Sequence, residues 1–310
     1  MQTRRLGSEG PEISVIGLGA WEAGGASWGP PVPDEQVLDA MRAAFDSGVS
    51  WVDTAEIYGG GRSEELVGQA TRGRDDVGVF TKVSPAVSGV DARGVRRAAE
   101  GSLRRMRRDV IDLFQVHWPD PAVALEETWE AMAELVEDEL VRYVGLSNFD
   151  RPQIERCEAI RHVDSLQPHF SLLHRAGRED LFPFCRDNGT GVICYGPLAY
   201  GLLTGAVTAE TEFGPDDWRG GTHGVGYYDE LFAPGALERN LAVVGALVPV
   251  ADRLGITLAQ LALAWVVTQD GVTGAIAGSR SSRHAVENAE AGSVALGPED
   301  LEEIEAALSR

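Results

Sequence analysis

DVIDLFQVHWPDPAVALEETWEAMAELVEDELVRYVGLSN (109–148) decides the fold. Its first part, 109–118, is an apolar run with the composition of a buried strand. The prolines at 119 and 121 break it, and 122–138 then repeats apolar residues at helical spacing. A second apolar run, 141–148, follows almost at once. A strand, a helix and a strand joined by short links form a unit whose strands run parallel. Such strands are buried on both faces, which explains runs that are apolar throughout rather than alternating.

The same alternation extends in both directions. Strands are expected at 14–21, 50–54, 76–83, 162–169, 191–196 and 273–278, besides the two above. Helices are expected at 33–48, 63–71, 90–106, 151–160 and 179–188, with Asp34 as a cap and Gly48 as a stop for the first. A Gly-rich loop runs from about 205 to 236, and helical stretches carry the chain onward from there. Eight strand–helix units in 310 residues fit a closed (β/α)8 TIM barrel in a single domain spanning 1–310. The rival is a doubly wound sheet, but no GxGxxG opens the first helix. GSEGP (7–11) reads as a turn, so the first dozen residues are expected to form a β-hairpin closing the bottom of the barrel.

The net charge of −21, from 27 basic and 48 acidic residues, argues against nucleic acid as a partner. An anionic ligand would have to be held by local groups against that field. No apolar run approaches the roughly 18 residues of a membrane span. The start, MQTRRLGSEGPE, has no apolar stretch of the kind a signal peptide needs. Cys157, Cys185 and Cys194 are widely spaced with no CxxC, so free thiols in a reducing cytoplasm are expected, and no metal site. The partner expected is a small molecule, with the protein a monomer or small homo-oligomer.

In such barrels, function gathers at the C-terminal ends of the strands. The polar residues there are Asp53, Lys82, His117, Ser147, Asn148, Gln167 and Tyr195, with Tyr58 just past the second strand. Each alone has an ordinary reading: a turn cap, a solvated lysine, a structural histidine, a packed tyrosine. On successive strands they suggest one chemistry. A free phenol, with a pKa of about 10, is too weak an acid for efficient proton transfer near neutrality. A neighbouring ammonium from Lys82 is expected to lower that value, with Asp53 keeping the lysine charged and oriented. His117 can donate to an oxygen in the same place. The set lacks only a source of electrons, so a cofactor is expected.

The motifs IGLGAW, DTAEIYGGGRSEELVG, FTKV, DLFQVHWPD, VGLSNF, SLQPHFSLLHR, CYGPLAYGLLTG, LALAWVV and AIAGSR…VEN occur in this order over nearly the whole chain. Together they resemble the aldo-keto reductases. The loop with GPDDWRGG is similar to that of bacterial members with an extended penultimate connection. The resemblance implies that Tyr58 is the general acid in carbonyl reduction, that Lys82 and Asp53 tune it, and that His117 orients the carbonyl. It implies NADPH as cofactor, with NADH possible. Ser147, Asn148 and Gln167 would hold the nicotinamide carboxamide and Tyr195 would stack on its ring. Trp21 would lie beside the cofactor, and Gly196, Pro197, Leu198, Gly201 and Leu203 along its pyrophosphate. Gly278, Ser279 and Arg280 would receive phosphate, Arg283 less so, and Glu287 and Asn288 would contact adenine.

Two departures bear on this. Ala277 stands where the family usually has proline, and His284 stands where members often carry arginine or glutamine for the adenosine phosphate. Trp21, Trp28, Trp118 and Phe149 could line a substrate pocket, with Tyr227, Tyr228 and Phe232 closing over it. The glycines after Tyr58 would let its loop swing. Two alternatives stay open: a cofactor-binding regulatory protein without significant turnover, and a Schiff-base aldolase using Lys82.

Overall fold

The computed structural model describes residues 1–310 except Ala26 and Arg310. Eight parallel strands close into a barrel: β3 (Ile16–Gly19), β4 (Trp51–Asp53), β5 (Gly78–Val83), β6 (Ile111–Val116), β7 (Val141–Ser147), β8 (Ser165–Gln167), β9 (Gly191–Cys194) and β10 (Val272–Gly278). β10 pairs with β3 to complete the ring, Ala275 opposite Ile16 and Gly278 opposite Gly19. The preceding β1 (Thr3–Arg5) and β2 (Glu12–Ser14) form a separate antiparallel pair. The (β/α)8 barrel and the hairpin are therefore both present as expected.

Helices surround the barrel: α1 (Asp34–Asp46), α2 (Arg62–Ala70), α3 (Ala92–Met106), α4 (Leu125–Glu137), α5 (Arg151–Glu158), α6 (Leu181–Asn188), α7 (Tyr227–Leu231), α8 (Ala236–Leu254), α9 (Leu258–Thr268), α10 (Ser282–Glu290) and α11 (Pro298–Leu308). Their starts follow local chemistry. Asp91 caps α3 by accepting from the Gly94 amide, and Asp150/Gln153 and Thr257/Gln260 form capping boxes on α5 and α9. The expected cap at Asp34 is not there. Asp34 is the first helical residue, makes no cap hydrogen bond, and instead pairs with Arg62 of α2. Among the described residues no single helix is long and apolar enough to cross a membrane.

The core has two layers. Between barrel and helices lie residues such as Val52, Val79, Phe114, Val144 and Leu166. Inside the lower barrel, Trp51, Phe80, Leu113, Ile193 and Ile276 pack with Leu6 and Ile13 of the hairpin. Trp51 donates its indole N–H to the Ser14 carbonyl at 2.8 Å. Its ring fills the space where Gly17 of β3 would carry a Cβ. Arg4 donates to the carbonyls of Val267 and Val272, both at 2.7 Å, tying the hairpin to the last strand. Everything below is thus sealed, and the upper rim is left for the site.

The loop after β9 is more ordered than its glycines suggest. It contains a tight turn at Trp218–Gly220 as well as α7. It crosses to the loop after β3, where Trp28 and Asp217 form a β-bridge and the Trp218 amide donates to the Ser27 carbonyl at 3.0 Å. Arg219 fixes this strap by forking onto Asp217 and donating to the Tyr200 carbonyl.

Candidate active site

Asp53, Tyr58, Lys82 and His117 meet at the upper rim. Lys82 is fully buried; its Nζ donates to Asp53 Oδ1 at 2.5 Å, to the Thr54 carbonyl at 2.9 Å and towards Tyr58 Oη at 3.4 Å. Asp53 Oδ2 accepts from Gln167 Nε2 at 2.8 Å and Gln115 Nε2 at 3.3 Å. The carboxylate is therefore held through both of its oxygens. The Tyr58 and His117 rings meet edge to face, 5.7 Å between centroids.

The electrostatics differ from the sequence expectation in one respect. Burial, reinforced by the charge of Asp53, pushes the Tyr58 phenol well above its ordinary value instead of below it. Lys82 sits closer to Asp53 than to the phenol, and that pair compensates itself. Burial lowers Lys82, with Asp53 opposing. Burial and the Lys82 charge push His117 well below its usual range, so the ring is neutral at physiological pH. Its Nδ1 is buried without a partner among the described residues.

Gly59 and Gly60 both adopt left-handed conformations, at φ 62° and 64°. Gly59 lies so close to Gly24 that a Cβ on either would overlap the other's backbone. The glycines therefore clamp the Tyr58 turn against the β3 loop, where sequence suggested a swing.

Above these residues opens a cavity of about 430 Å³. Asp53, Tyr58, His117, Trp21, Trp28 and Trp118 line it. So do Ser147, Asn148, Gln167 and Tyr195, with Gly196, Pro197, Leu198 and Gly201. Asn148 takes φ +64°, a conformation that turns its amide inward. Its Nδ2 donates to the His117 carbonyl at 2.9 Å and its Oδ1 accepts from Tyr195 Oη at 2.7 Å. Ser147 Oγ donates to the Gln167 carbonyl.

The model of the aldo/keto reductase family matches residues 15–309. The chain belongs to that family. It is 34% identical to the aldo-keto reductase YhdN of Bacillus subtilis (strain 168), covering 99% of this chain and 94% of that one. It is 31% identical to a probable voltage-gated potassium channel subunit beta of Oryza sativa subsp. japonica, covering 99% and 97%. An aldo/keto reductase from Klebsiella pneumoniae, solved with NADP and acetate, superposes with a TM-score of 0.75 at 32% identity, covering 98% of this chain and 95% of that one. The oxidoreductase class read from the sequence stands.

Not every expected residue reaches this reductase cavity. Gly278 and Arg280 line it. Arg280 donates to the Trp28 and Pro30 carbonyls, latching the loop after β3. Leu203 is turned into the core. Ser279 braces the turn by bonding Ser281, and His284 is exposed against Arg283. Glu287 and Asn288 stand further along α10, whose first turn has no side-chain cap. Its free N–H groups, flanked by Arg280 and Arg283, form a ready place for phosphate. Of the expected pocket aromatics, Tyr227 lines the cavity. Phe149 and Phe232 are buried, and Tyr228 packs against Gly221.

Among the contributors not singled out from the sequence are Glu22, Gln115, Tyr200 and Arg219. Gln115 lies two residues before His117 on the same strand face, a spacing that could have found it. Glu22 sits where a Cβ on Gly278 would overlap its carboxylate. Burial raises its pKa against the pull of Arg280 and Arg219.

Proposed function

We propose that this protein reduces an aldehyde or ketone to the alcohol with NADPH, Tyr58 acting as general acid. The observation that carries this reading is the buried Asp53–Lys82 pair with the Tyr58 hydroxyl 3.4 Å from the ammonium, opening into the aromatic cavity.

The cofactor suits the residues present. Tyr200 Oη is buried without a hydrogen-bond partner among the described residues, beside the cavity that Gly196, Gly201 and Gly278 border, and the uncapped start of α10 offers amides to phosphate. Ser147, Asn148 and Gln167 would hold the carboxamide, and Tyr195 would face the ring. Arg280, Ser279 and Arg283 would meet phosphate, with Glu287 and Asn288 towards adenine. The chemistry a bound reduced nicotinamide supplies is a hydride for the carbonyl carbon.

This chain's own residues manage the oxygen. A phenol held protonated by burial donates its proton to the developing alkoxide. Lys82 stabilises the phenolate left behind, and Asp53 keeps Lys82 aimed. The neutral His117 offers one N–H to the same oxygen. The three tryptophans suit apolar or ring-bearing carbonyls.

The kinship with a potassium-channel β subunit favours a second reading, cofactor binding for regulation. One experiment separates them: NADPH consumption with a panel of aromatic and aliphatic aldehydes, for the wild type and Tyr58→Phe. The reductase reading expects turnover that drops by roughly 10²–10⁴ in the variant with cofactor binding retained. Tight NADPH binding with no turnover by the wild type would favour regulation. Lys82 does not line the cavity, and its ammonium is held by Asp53, so an aldolase role has no support. Burial pushes the Cys157 and Cys185 thiols up to about 12, as suits inert cysteines in a reducing cytoplasm.

A further inference from the structure

Away from the proposed chemistry, three donors converge where the barrel meets the long loop. His169 follows β8, His174 closes the tight turn after it, and Glu230 belongs to α7. One donor atom of each lies within 4.8 Å of the others. His174 Nδ1 and Glu230 Oε1 are already 2.6 Å apart, and the two imidazoles stack at 4.3 Å between centroids. His169 is only 8% exposed, and its Nε2 is buried with no hydrogen-bond partner among the described residues. An orphaned buried polar atom costs about 1–3 kcal/mol, so a binding partner for this ring would recover something real.

The geometry points to a divalent-cation site formed by His169, His174 and Glu230, suited to Zn²⁺ with water as fourth ligand. Two imidazoles and one carboxylate are a familiar donor set for that ion. Hard cations such as Mg²⁺ prefer oxygen, and there is no thiolate here to select a softer one. Zinc bonds of about 2.0–2.2 Å place donors roughly 3.4 Å apart, so the His174–Glu230 pair must open slightly, the wider separations must close, and His174 must turn out of its stack on His169. Glu230 is exposed and His174 half-buried, so both are free to rotate. A chain of net charge −21 also attracts a dication.

Two ligands belong to the barrel and one to the loop. The ion therefore acts as a strut pinning α7. Three residues before Glu230, Tyr227 lines the cavity and bonds Tyr195 at 2.6 Å. Zinc would fix that wall of the cavity without touching the reacting groups.

The test is calorimetric titration of Zn²⁺ into the metal-stripped full chain, for wild type, His174→Gln and Glu230→Gln. Both substitutions are at accessible positions, and zinc-free melting temperatures check that folding is intact. The expected result is one zinc per wild-type chain, with affinity at least about tenfold weaker in each variant. Zinc should also protect the 205–235 loop from protease in the wild type and not in Glu230→Gln. A wild type that takes up no zinc, or binds it as the two variants do, overturns the site.

Discussion

Tyr58 holds its proton because it is buried beside a carboxylate, and this sets a pH dependence. A phenol raised above its ordinary value stays protonated throughout the neutral range. The rate of carbonyl reduction should therefore be flat from about pH 6 to about pH 9, losing activity only above the ordinary tyrosine value near 10. His117, pushed the other way, contributes no step near pH 6.5. A pH–rate profile of kcat/KM checks both. Lys82→Met should cost more than activity: it strands Asp53 as a buried charge, destabilising the fold by about 3–5 kcal/mol by chemical denaturation, whereas Tyr58→Phe should melt near the wild type. Glu22 is the anomaly among these residues, a carboxylate at the edge of a cavity proposed for an anion. Glu22→Gln should tighten NADPH binding by on the order of 1 kcal/mol. In the wild type, affinity should rise as pH falls through the raised Glu22 pKa, and the variant should lack that rise. The tetrad was legible in sequence because strand-end polar residues interrupt apolar runs. Glu22 and Tyr200 were not, since only the direction of each side chain makes it part of the cavity.

Among the elements, apolar runs and helical spacing marked every barrel strand and most helices, though the strands are shorter than their apolar runs. β8 spans only Ser165–Gln167, because His169 beyond it meets Tyr195 through a lone bridge. The order within the long loop was invisible in sequence. It depends on Trp28 finding Asp217, a contact between segments nearly 200 residues apart that no local pattern encodes. Asp217→Ala should release this strap. Arg219 would lose its fork, protease cutting within 205–235 should speed up, and the change in melting temperature should be small. At the opposite end, Leu6→Ala removes a fully buried side chain from the floor of the barrel and should cost about 2–5 kcal/mol by chemical denaturation.

For the whole molecule, charge is the dominant feature. A net −21 repels an anionic dinucleotide at long range, while Arg280 and Arg283, proposed to meet its phosphates, would attract it only close in. Salt at about 0.15 M shortens the reach of that field to about 8 Å. The association rate of NADPH, measured by stopped-flow fluorescence, should therefore rise between about 10 and 150 mM salt, the reverse of the usual steering effect. The hairpin adds a constraint in time. Arg4 is made among the first residues, yet its partners Val267 and Val272 come 263 and 268 positions later. At about 5–20 residues per second, the ribosome needs roughly 13–54 seconds to deliver them. Until then Leu6 and Ile13 have no floor to seal, and β3 lacks β10. A nascent chain is thus left with an open, sticky ring until its final quarter emerges, which makes this interval the natural window for a chaperone.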